Sequence, residues 1–217
     1  MKGNAVATSG KIRRTSITEP GRHHGSGVST YHTVVFISLV ISFLFLLSGC
    51  LLYFHLLNNA SADSAFAVLP RSFSVITVLF LTGSFIAYRM HEFYAEDQSG
   101  NMLRGMYFMA GLYLAIGVLL GFFLRSQVLV NGLSLAAPDA GDAVTLITAL
   151  FLAHIIAGII YLIRFGSLVY RNTSDMVKSL LFFTDSIQVT RLRLLAVFWH
   201  YTTISWLFFY FVLLFTN

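Results

Sequence analysis

The sequence has few charged residues. Only 11% of its 217 residues are Asp, Glu, Lys or Arg, and 57% are hydrophobic, whereas about 25% of the residues of a soluble domain are charged. A chain with so little charge does not fit the class of soluble globular proteins. It predicts a polytopic membrane protein.

Cysteine and proline are also scarce. The one cysteine, Cys50, excludes a disulfide within the chain and a metal site built from cysteines. The three prolines predict mostly unbroken helices, because proline interrupts a helix interior. Leu47-Ser48-Gly49-Cys50 matches a lipoprotein cleavage box, but the apolar run continues past Cys50 and is longer than the about 7–15 residues of a signal-peptide core. We interpret it as an uncleaved helix, with a modified Cys50 as the alternative.

Five apolar stretches are long enough to cross a bilayer. A span needs about 20 residues, because the hydrocarbon core is about 30 Å thick and a helix rises about 1.5 Å per residue. The predicted spans are about 34–57, 72–88, 105–124, 144–163 and 194–215. We predict an all-α fold, a polytopic membrane bundle of five transmembrane helices within residues 33–217, preceded by a flexible cytoplasmic tail, residues 1–32.

The positive charges lie mainly on one side of this arrangement. With the amino terminus in the cytoplasm and alternating spans, 12 of the 14 Lys and Arg residues lie in inner segments, and only Arg71 and Arg125 lie in outer ones. Inner segments of membrane proteins are enriched in Lys and Arg, so we predict a cytoplasmic amino terminus and an outer carboxyl terminus. A net charge of +5 could suggest a nucleic-acid partner. The Lys and Arg residues that produce it lie mainly on the inner side, so topology explains them and nucleic-acid binding is not indicated. Within the inner segment before the last span, residues 177–183 predict a short helix at the membrane surface.

The predicted spans contain no Asp, Glu, Lys or Arg. Proton and ion carriers usually place such a residue at membrane depth, and an enzyme needs titratable or metal-binding groups brought together in a cavity. Two histidines remain, His154 in the fourth span and His200 in the fifth, and a haem held between them would make the chain an electron-carrying membrane cytochrome. The other class is a non-catalytic subunit that packs against a larger partner bearing the cofactors.

The last span carries a line of aromatic and polar side chains at helical spacing. The line consists of Trp199, His200, Thr203, Trp206 and Tyr210. Polar groups are costly in lipid, so we expect this line to face other protein. It predicts a docking and lipid-contact surface, with His154 bracing the fourth helix against it.

Small residues predict close contacts between helices. Gly117 and Gly121 in the third span form a GxxxG pair, a common packing device in membranes. Gly83 lies among the small and weakly polar residues of the second span. We expect the glycines of the third span to be points of close approach.

The last span also resembles a known family. Trp199-His200-Tyr201, followed by Trp206-Leu207-Phe208 and Tyr210, is similar to the WHF-x-D-x-x-W-x-F-x-Y signature of the last helix of cytochrome c oxidase subunit III. In the fourth span, His154-Ile155-Ile156-Ala157-Gly158 resembles the second half of the HGLHVIIG segment of that family. The resemblance extends over about residues 34–214, and five helices is the form of subunit III in many bacterial terminal oxidases.

The resemblance implies a subunit without a catalytic centre or cofactor of its own. In that family, subunit III clasps the haem- and copper-bearing subunit I among the other respiratory-complex subunits of the bacterial inner membrane. It also holds phospholipids and supports assembly and proton uptake. Arg191 and Arg193, at the inner end of the last span, are candidate ligands of phospholipid head groups, or else serve only to set the topology.

Two acidic positions of the family are absent. Thr203 stands where the family has Asp, and no acidic residue lies between Tyr31 and Ala62, where the family has a Glu in the first helix of its five-helix core. A packing role therefore fits this sequence better than a role in proton handling. The alternative of the same kind is an accessory subunit of a nitric oxide reductase that is similar to subunit III.

Overall fold

The computed structural model describes residues 25–59, 71–96, 98–131, 140–173 and 175–216, and these residues are almost entirely helical. The helices are α1 (Gly25–Asn59), α2 (Arg71–Ala95), α3 (Ser99–Asn131), α4 (Ala140–Thr173), α5 (Met176–Thr184) and α6 (Ser186–Thr216). No strand occurs in these ranges. The structure thus confirms the all-α fold.

Five of these helices, all except α5, are long and apolar enough to cross a membrane, as the sequence predicted. The orientation of the termini stays a prediction. Helix α1 begins at Gly25, inside the segment expected to be a flexible tail, and residues 1–24 lie outside the described part of the chain.

The helices are longer than the predicted spans. Helix α4 contains 34 residues and continues through Arg164 and Arg171 to Thr173, beyond the predicted span of about 144–163. A charged residue ends an apolar run, but its long side chain can reach the interface while the backbone stays helical. At the other end, Asp142 lies in the first turn of α4 and is only 7% exposed, where the amino-terminal end of the helix dipole favours a negative charge.

Helix α6 is the centre of the arrangement. It contacts α1, α2, α4 and α5, while α3 packs between α2 and α4. Helix α1 packs against α4 and α6 and is the least buried of the five long helices, whereas α6 is the most buried. The bundle is therefore a group of four packed helices with α1 against the edge formed by α4 and α6.

The short helix α5 confirms the helix predicted over residues 177–183. The Asp175 carboxylate accepts a hydrogen bond from the amide of Val177 and caps the helix, as expected for Asp at this position. On the side of α5 that faces the bundle, Phe182 is buried and packs against Tyr94 of α2. The Tyr94 hydroxyl donates to the Phe182 carbonyl at 2.9 Å. This contact ties α5 to the end of α2.

Candidate functional site

All five residues of the predicted docking line on α6 contact α2. Trp199 and Trp206 donate hydrogen bonds to α2, and the Thr203 hydroxyl lies within hydrogen-bond distance of the Phe80 carbonyl of that helix. His200 and Tyr210 share hydrogen bonds with serines of α2. We call this contact the α2–α6 seam, formed by Ser74, Thr77, Phe80, Gly83 and Ser84 of α2 with Trp199, His200, Thr203, Trp206 and Tyr210 of α6. It follows from two antiparallel helices that each present one polar and aromatic face.

The two tryptophans occupy the middle of the seam, and both are 0% exposed. Trp206 donates from Nε1 to the Thr77 hydroxyl at 2.9 Å, and Trp199 donates from Nε1 to the Phe80 carbonyl at 3.3 Å. Phe80 lies between the two indoles, with ring centroids 5.9 Å from Trp199 and 5.6 Å from Trp206. Each indole therefore has both its apolar surface and its one polar group satisfied inside the protein, as large buried aromatic residues require.

Glycine makes the close approach of Trp199 to α2 feasible. A Cβ atom on Gly83 would lie 1.8 Å from Cζ2 of Trp199, so any side chain at this position collides with the indole. The indole also meets Tyr113 of α3 edge-on, with ring centroids 4.2 Å apart. Trp199 thus joins α6 to both α2 and α3.

Thr203 illustrates how the seam satisfies polar groups. Its hydroxyl can donate to the Trp199 carbonyl at 3.0 Å or the Phe80 carbonyl at 3.4 Å, and the residue is 2% exposed. A hydroxyl donates a proton to these carbonyls, whereas an ionised carboxylate could only accept. The surroundings of Thr203 fit the threonine and give no place to a charged acid.

The ends of the seam carry the more accessible polar contacts. The Nδ1 atom of His200 lies 2.6 Å from the Ser84 hydroxyl, and the Tyr210 hydroxyl lies 3.0 Å from that of Ser74. Both His200 and Tyr210 are half-buried.

Three residues of the predicted docking line are packed inside the chain. Trp199, Thr203 and Trp206 are at most 2% exposed and face α2 of their own chain, so they cannot contact a partner directly. Docking of a partner against the half-buried His200 and Tyr210 stays a prediction.

His154 braces α1 rather than the seam. Its Nδ1 atom donates to the Leu150 carbonyl at 2.7 Å, because a carbonyl can only accept. In the neutral imidazole, Nε2 then accepts from the Ser42 hydroxyl of α1, also at 2.7 Å. The ring lies nearly parallel to that of Phe198 on α6, with centroids 6.0 Å apart, so the predicted contact between α4 and α6 is present beside the hydrogen bond to α1.

The two histidines form hydrogen bonds with different helices. His154 is hydrogen-bonded to α1 and His200 to α2. A haem shared by both imidazoles requires them to leave these partners and face a common space. Among the described residues, no group of three or more His, Cys, Asp and Glu side chains is placed to hold a metal ion. The geometry therefore gives the cytochrome alternative no support.

The two arginines predicted to bind lipid head groups lie in different environments. Arg191 lines a groove between α1, α4 and α6, together with Arg164 of α4. Arg193 is exposed and lies outside that groove. No pattern in the sequence indicated the shared groove of Arg164 and Arg191, because the two residues are brought together only by the antiparallel packing of α4 and α6.

Cys50 lies within unbroken helix. Helix α1 continues from Gly25 through Cys50 to Asn59, and Cys50 is 3% exposed. An acyl group on this sulfur would have no room in the packed interface. The uncleaved helix stays our interpretation, since α1 continues on both sides of Cys50.

Together, the fold and the seam define a multi-pass helical membrane protein that uses the polar and aromatic side chains of its last helix for internal packing. No family model matches the chain, and no curated protein matches it.

Proposed function

We propose that this chain is a non-catalytic subunit of a bacterial haem-copper terminal oxidase, similar to cytochrome c oxidase subunit III, in the inner membrane. The observation that carries the proposal is the α2–α6 seam. The positions that carry the resemblance on α6, namely Trp199, His200, Trp206 and Tyr210, all lie in this seam. The resemblance thus concerns a set of residues that act together in packing, rather than an isolated string of letters.

In this proposal, haem and copper belong to the partner subunit I. The polar groups of the seam on α6 are occupied within the chain, and α6 exposes apolar side chains such as Ile204, Phe208 and Phe211. Where a helix surface offers no hydrogen-bonding groups, helices associate in lipid through close, complementary packing and dispersion contacts. The chain contributes to assembly of the oxidase and to lipid binding, in a respiratory chain that transfers electrons to oxygen.

In this proposal the chain supports proton uptake only through its packing against the partner, and not through an acid of its own at position 203. Thr203 occupies the place of the family's buried Asp, and its hydroxyl is engaged with backbone carbonyls. A threonine hydroxyl does not ionise near neutral pH, whereas the carboxyl group of an Asp does, with an unperturbed pKa of about 3.9. The packing role does not depend on that acid.

Co-purification from the native membrane tests the proposal. The tagged chain is extracted in a mild detergent, and its partners are identified by mass spectrometry, with untagged membranes as the control. We expect a stoichiometric partner that contains haem and copper, visible in the optical spectrum of the eluate, and oxygen consumption by the purified complex. Recovery of the chain without such a partner would contradict the proposal, and a partner that reduces nitric oxide but not oxygen would favour the reductase alternative.

A further inference from the structure

Four methionines are concentrated in one part of the core, around α3. Met90 of α2 and Met102, Met106 and Met109 of α3 are each at most 3% exposed. They are four of the six methionines of the chain, and the rest of the buried core that the structure describes contains none. Methionine does fill irregular gaps in cores, but leucine fills a similar volume at a lower cost in side-chain entropy. A concentration of thioethers at one place therefore needs a reason beyond packing.

The three methionines of α3 lie on one face of the helix. Met102, Met106 and Met109 follow one another at spacings of four and three residues, and residues three and four apart are neighbours on a helix. The sulfur of Met106 lies toward α4, because a Cβ atom on Gly166 would be 3.8 Å from it. Helix α3 thus presents three thioethers within about two turns, one of which is directed at α4.

Gly105 allows Met90 to reach this face of α3 from α2. A Cβ atom on Gly105 would lie 3.1 Å from Cγ and 3.5 Å from Sδ of Met90, so the Met90 sulfur rests against the backbone of α3. Gly105 is three residues after Met102 and four before Met109, and its side of the helix is therefore shared with both. The structure brings the sulfur of Met90 to the stretch of α3 between Met102 and Met109.

Thioethers are ligands for a soft metal ion. The sulfur ligands Cys and Met select Cu(I), whereas oxygen ligands suit harder ions. A thioether has no proton to lose, so it can bind a metal without the deprotonation that a thiol requires. Methionine also has three rotatable bonds, and several sulfurs can turn toward one ion while the helices stay in place.

We propose that Met90, Met102 and Met109 bind one Cu(I) ion between α2 and α3. Met90 lies five residues before the end of α2, and Met102 lies three residues after the start of α3. The path from the end of this helix pair to the site is therefore only about one to two turns long. The bound ion joins α2 to α3. The site lies within this chain and does not rest on the proposed function.

Titration of the purified full chain with Cu(I) tests the site. The chain, in mild detergent and without oxygen, competes for Cu(I) with the chromophoric chelator bicinchoninate. X-ray absorption at the copper edge then identifies the ligand atoms. We expect one Cu(I) per chain with sulfur ligands, and we expect the same site to bind Ag(I) but not Zn²⁺.

Leucine variants remove a sulfur and nearly conserve the volume, a change that cores tolerate well. Met90→Leu, Met102→Leu and Met109→Leu should each lower the Cu(I) affinity at least about tenfold, the loss that follows removal of even an outer partner of a metal site. Met106→Leu changes packing in the same part of the core but keeps the three ligands, and Met176→Leu replaces an exposed methionine. Both should bind Cu(I) as the wild type does. Circular dichroism confirms that each variant is folded.

Other soft or nitrogen ligands of the chain are tested separately. Cys50→Ala removes the one thiol, and the double variant His23→Gln/His24→Gln removes two adjacent histidines; both should retain the ion. The site is overturned if the chain takes no Cu(I) from the chelator, if the ligand atoms are nitrogen, or if Cys50→Ala releases the ion. A loss in Met106→Leu as large as that in Met102→Leu would also overturn it, because packing would then explain the effect. The chain is measured alone, so the outcome is independent of any oxidase partner.

Discussion

Gly83 leaves the space that the indole of Trp199 occupies, and Gly83→Ala should therefore break the α2–α6 seam. The new Cβ would lie 1.8 Å from Cζ2, 2.4 Å from Cε2 and 2.8 Å from Cη2 of Trp199. The indole cannot simply turn away, because Tyr113 meets it from α3 with ring centroids 4.2 Å apart. Either the indole or helix α2 has to move.

The magnitude follows from three contributions. Overpacking a well-packed core costs about 1–3 kcal/mol. A displaced Trp199 also loses its hydrogen bond to the Phe80 carbonyl, and a buried donor left without an acceptor costs about 1–3 kcal/mol. Alanine favours a helix over glycine by about 1 kcal/mol, which offsets part of the loss. We expect the free energy of unfolding to fall by about 1–5 kcal/mol.

The assay is unfolding in mixed micelles by titration with sodium dodecyl sulfate, followed by circular dichroism and tryptophan emission. The two tryptophans of the chain both lie in the seam, so their emission reports on it directly. Gly111→Ala is the matched control, because its Cβ would meet nothing within 4 Å. That variant should be unchanged or more stable by up to about 1 kcal/mol.

A double variant tests the cause of the loss. Trp199→Phe removes the part of the ring that the new Cβ would strike, so Gly83→Ala should cost less in that background, with a coupling energy above about 0.5 kcal/mol. The reasoning is refuted if Gly83→Ala is as stable as Gly111→Ala, or if its cost is the same with and without the indole.

Three further predictions concern other parts of the bundle. The Tyr113 hydroxyl is the one buried side-chain polar atom in the described residues without a hydrogen-bond partner, so Tyr113→Phe should raise the free energy of unfolding by about 1–3 kcal/mol; a decrease in the same titration would show that the hydroxyl is bound. Thr77→Val removes the acceptor of Trp206 and should cost about 1–3 kcal/mol, but clearly less in a Trp206→Phe background; equal costs would mean that the hydrogen bond contributes nothing. Leu180 of α5 is 65% exposed, and a spin label there should collide more often with lipid-soluble oxygen than a label at the neighbouring Lys178; the same collision rate at both positions would argue against α5 at the membrane surface.

The number and type of the long helices were predictable, but their ends were not. A run without charges predicts where a helix can lie in hydrocarbon, which is why the five spans were found. The structure continues α4 through Arg164 to Thr173 and starts it at Ala140, since helix ends depend on capping and on side chains that reach the interface. Both ends of α5 (Met176–Thr184) lie within one residue of the helix predicted over residues 177–183, and Asp175 caps its amino-terminal end.

The glycines show that a sequence pattern was only partly right. The GxxxG pair of α3 predicted a close approach at Gly117 and Gly121; a Cβ on Gly117 would lie 3.3 Å from Cγ2 of Ile155, but one on Gly121 would meet nothing within 4 Å. The closest approaches occur at Gly83, against Trp199, and at Gly158, where a Cβ would lie 2.6 Å from the Tyr113 ring. A spacing identifies glycines on one face, but only the packed neighbour decides which of them is needed.

The sequence by itself determined an all-helical membrane protein with five apolar spans. In hydrocarbon each span must satisfy its own backbone hydrogen bonds, so length and hydropathy are sufficient to predict a helix. Helical periodicity also placed the polar and aromatic line of α6 on one face. Only the tertiary structure decided that this face meets α2, that His154 binds Ser42 of α1, and that Arg164 and Arg191 share a groove. These contacts join residues far apart in the chain, and they depend on how whole helix surfaces fit together, which no local pattern contains.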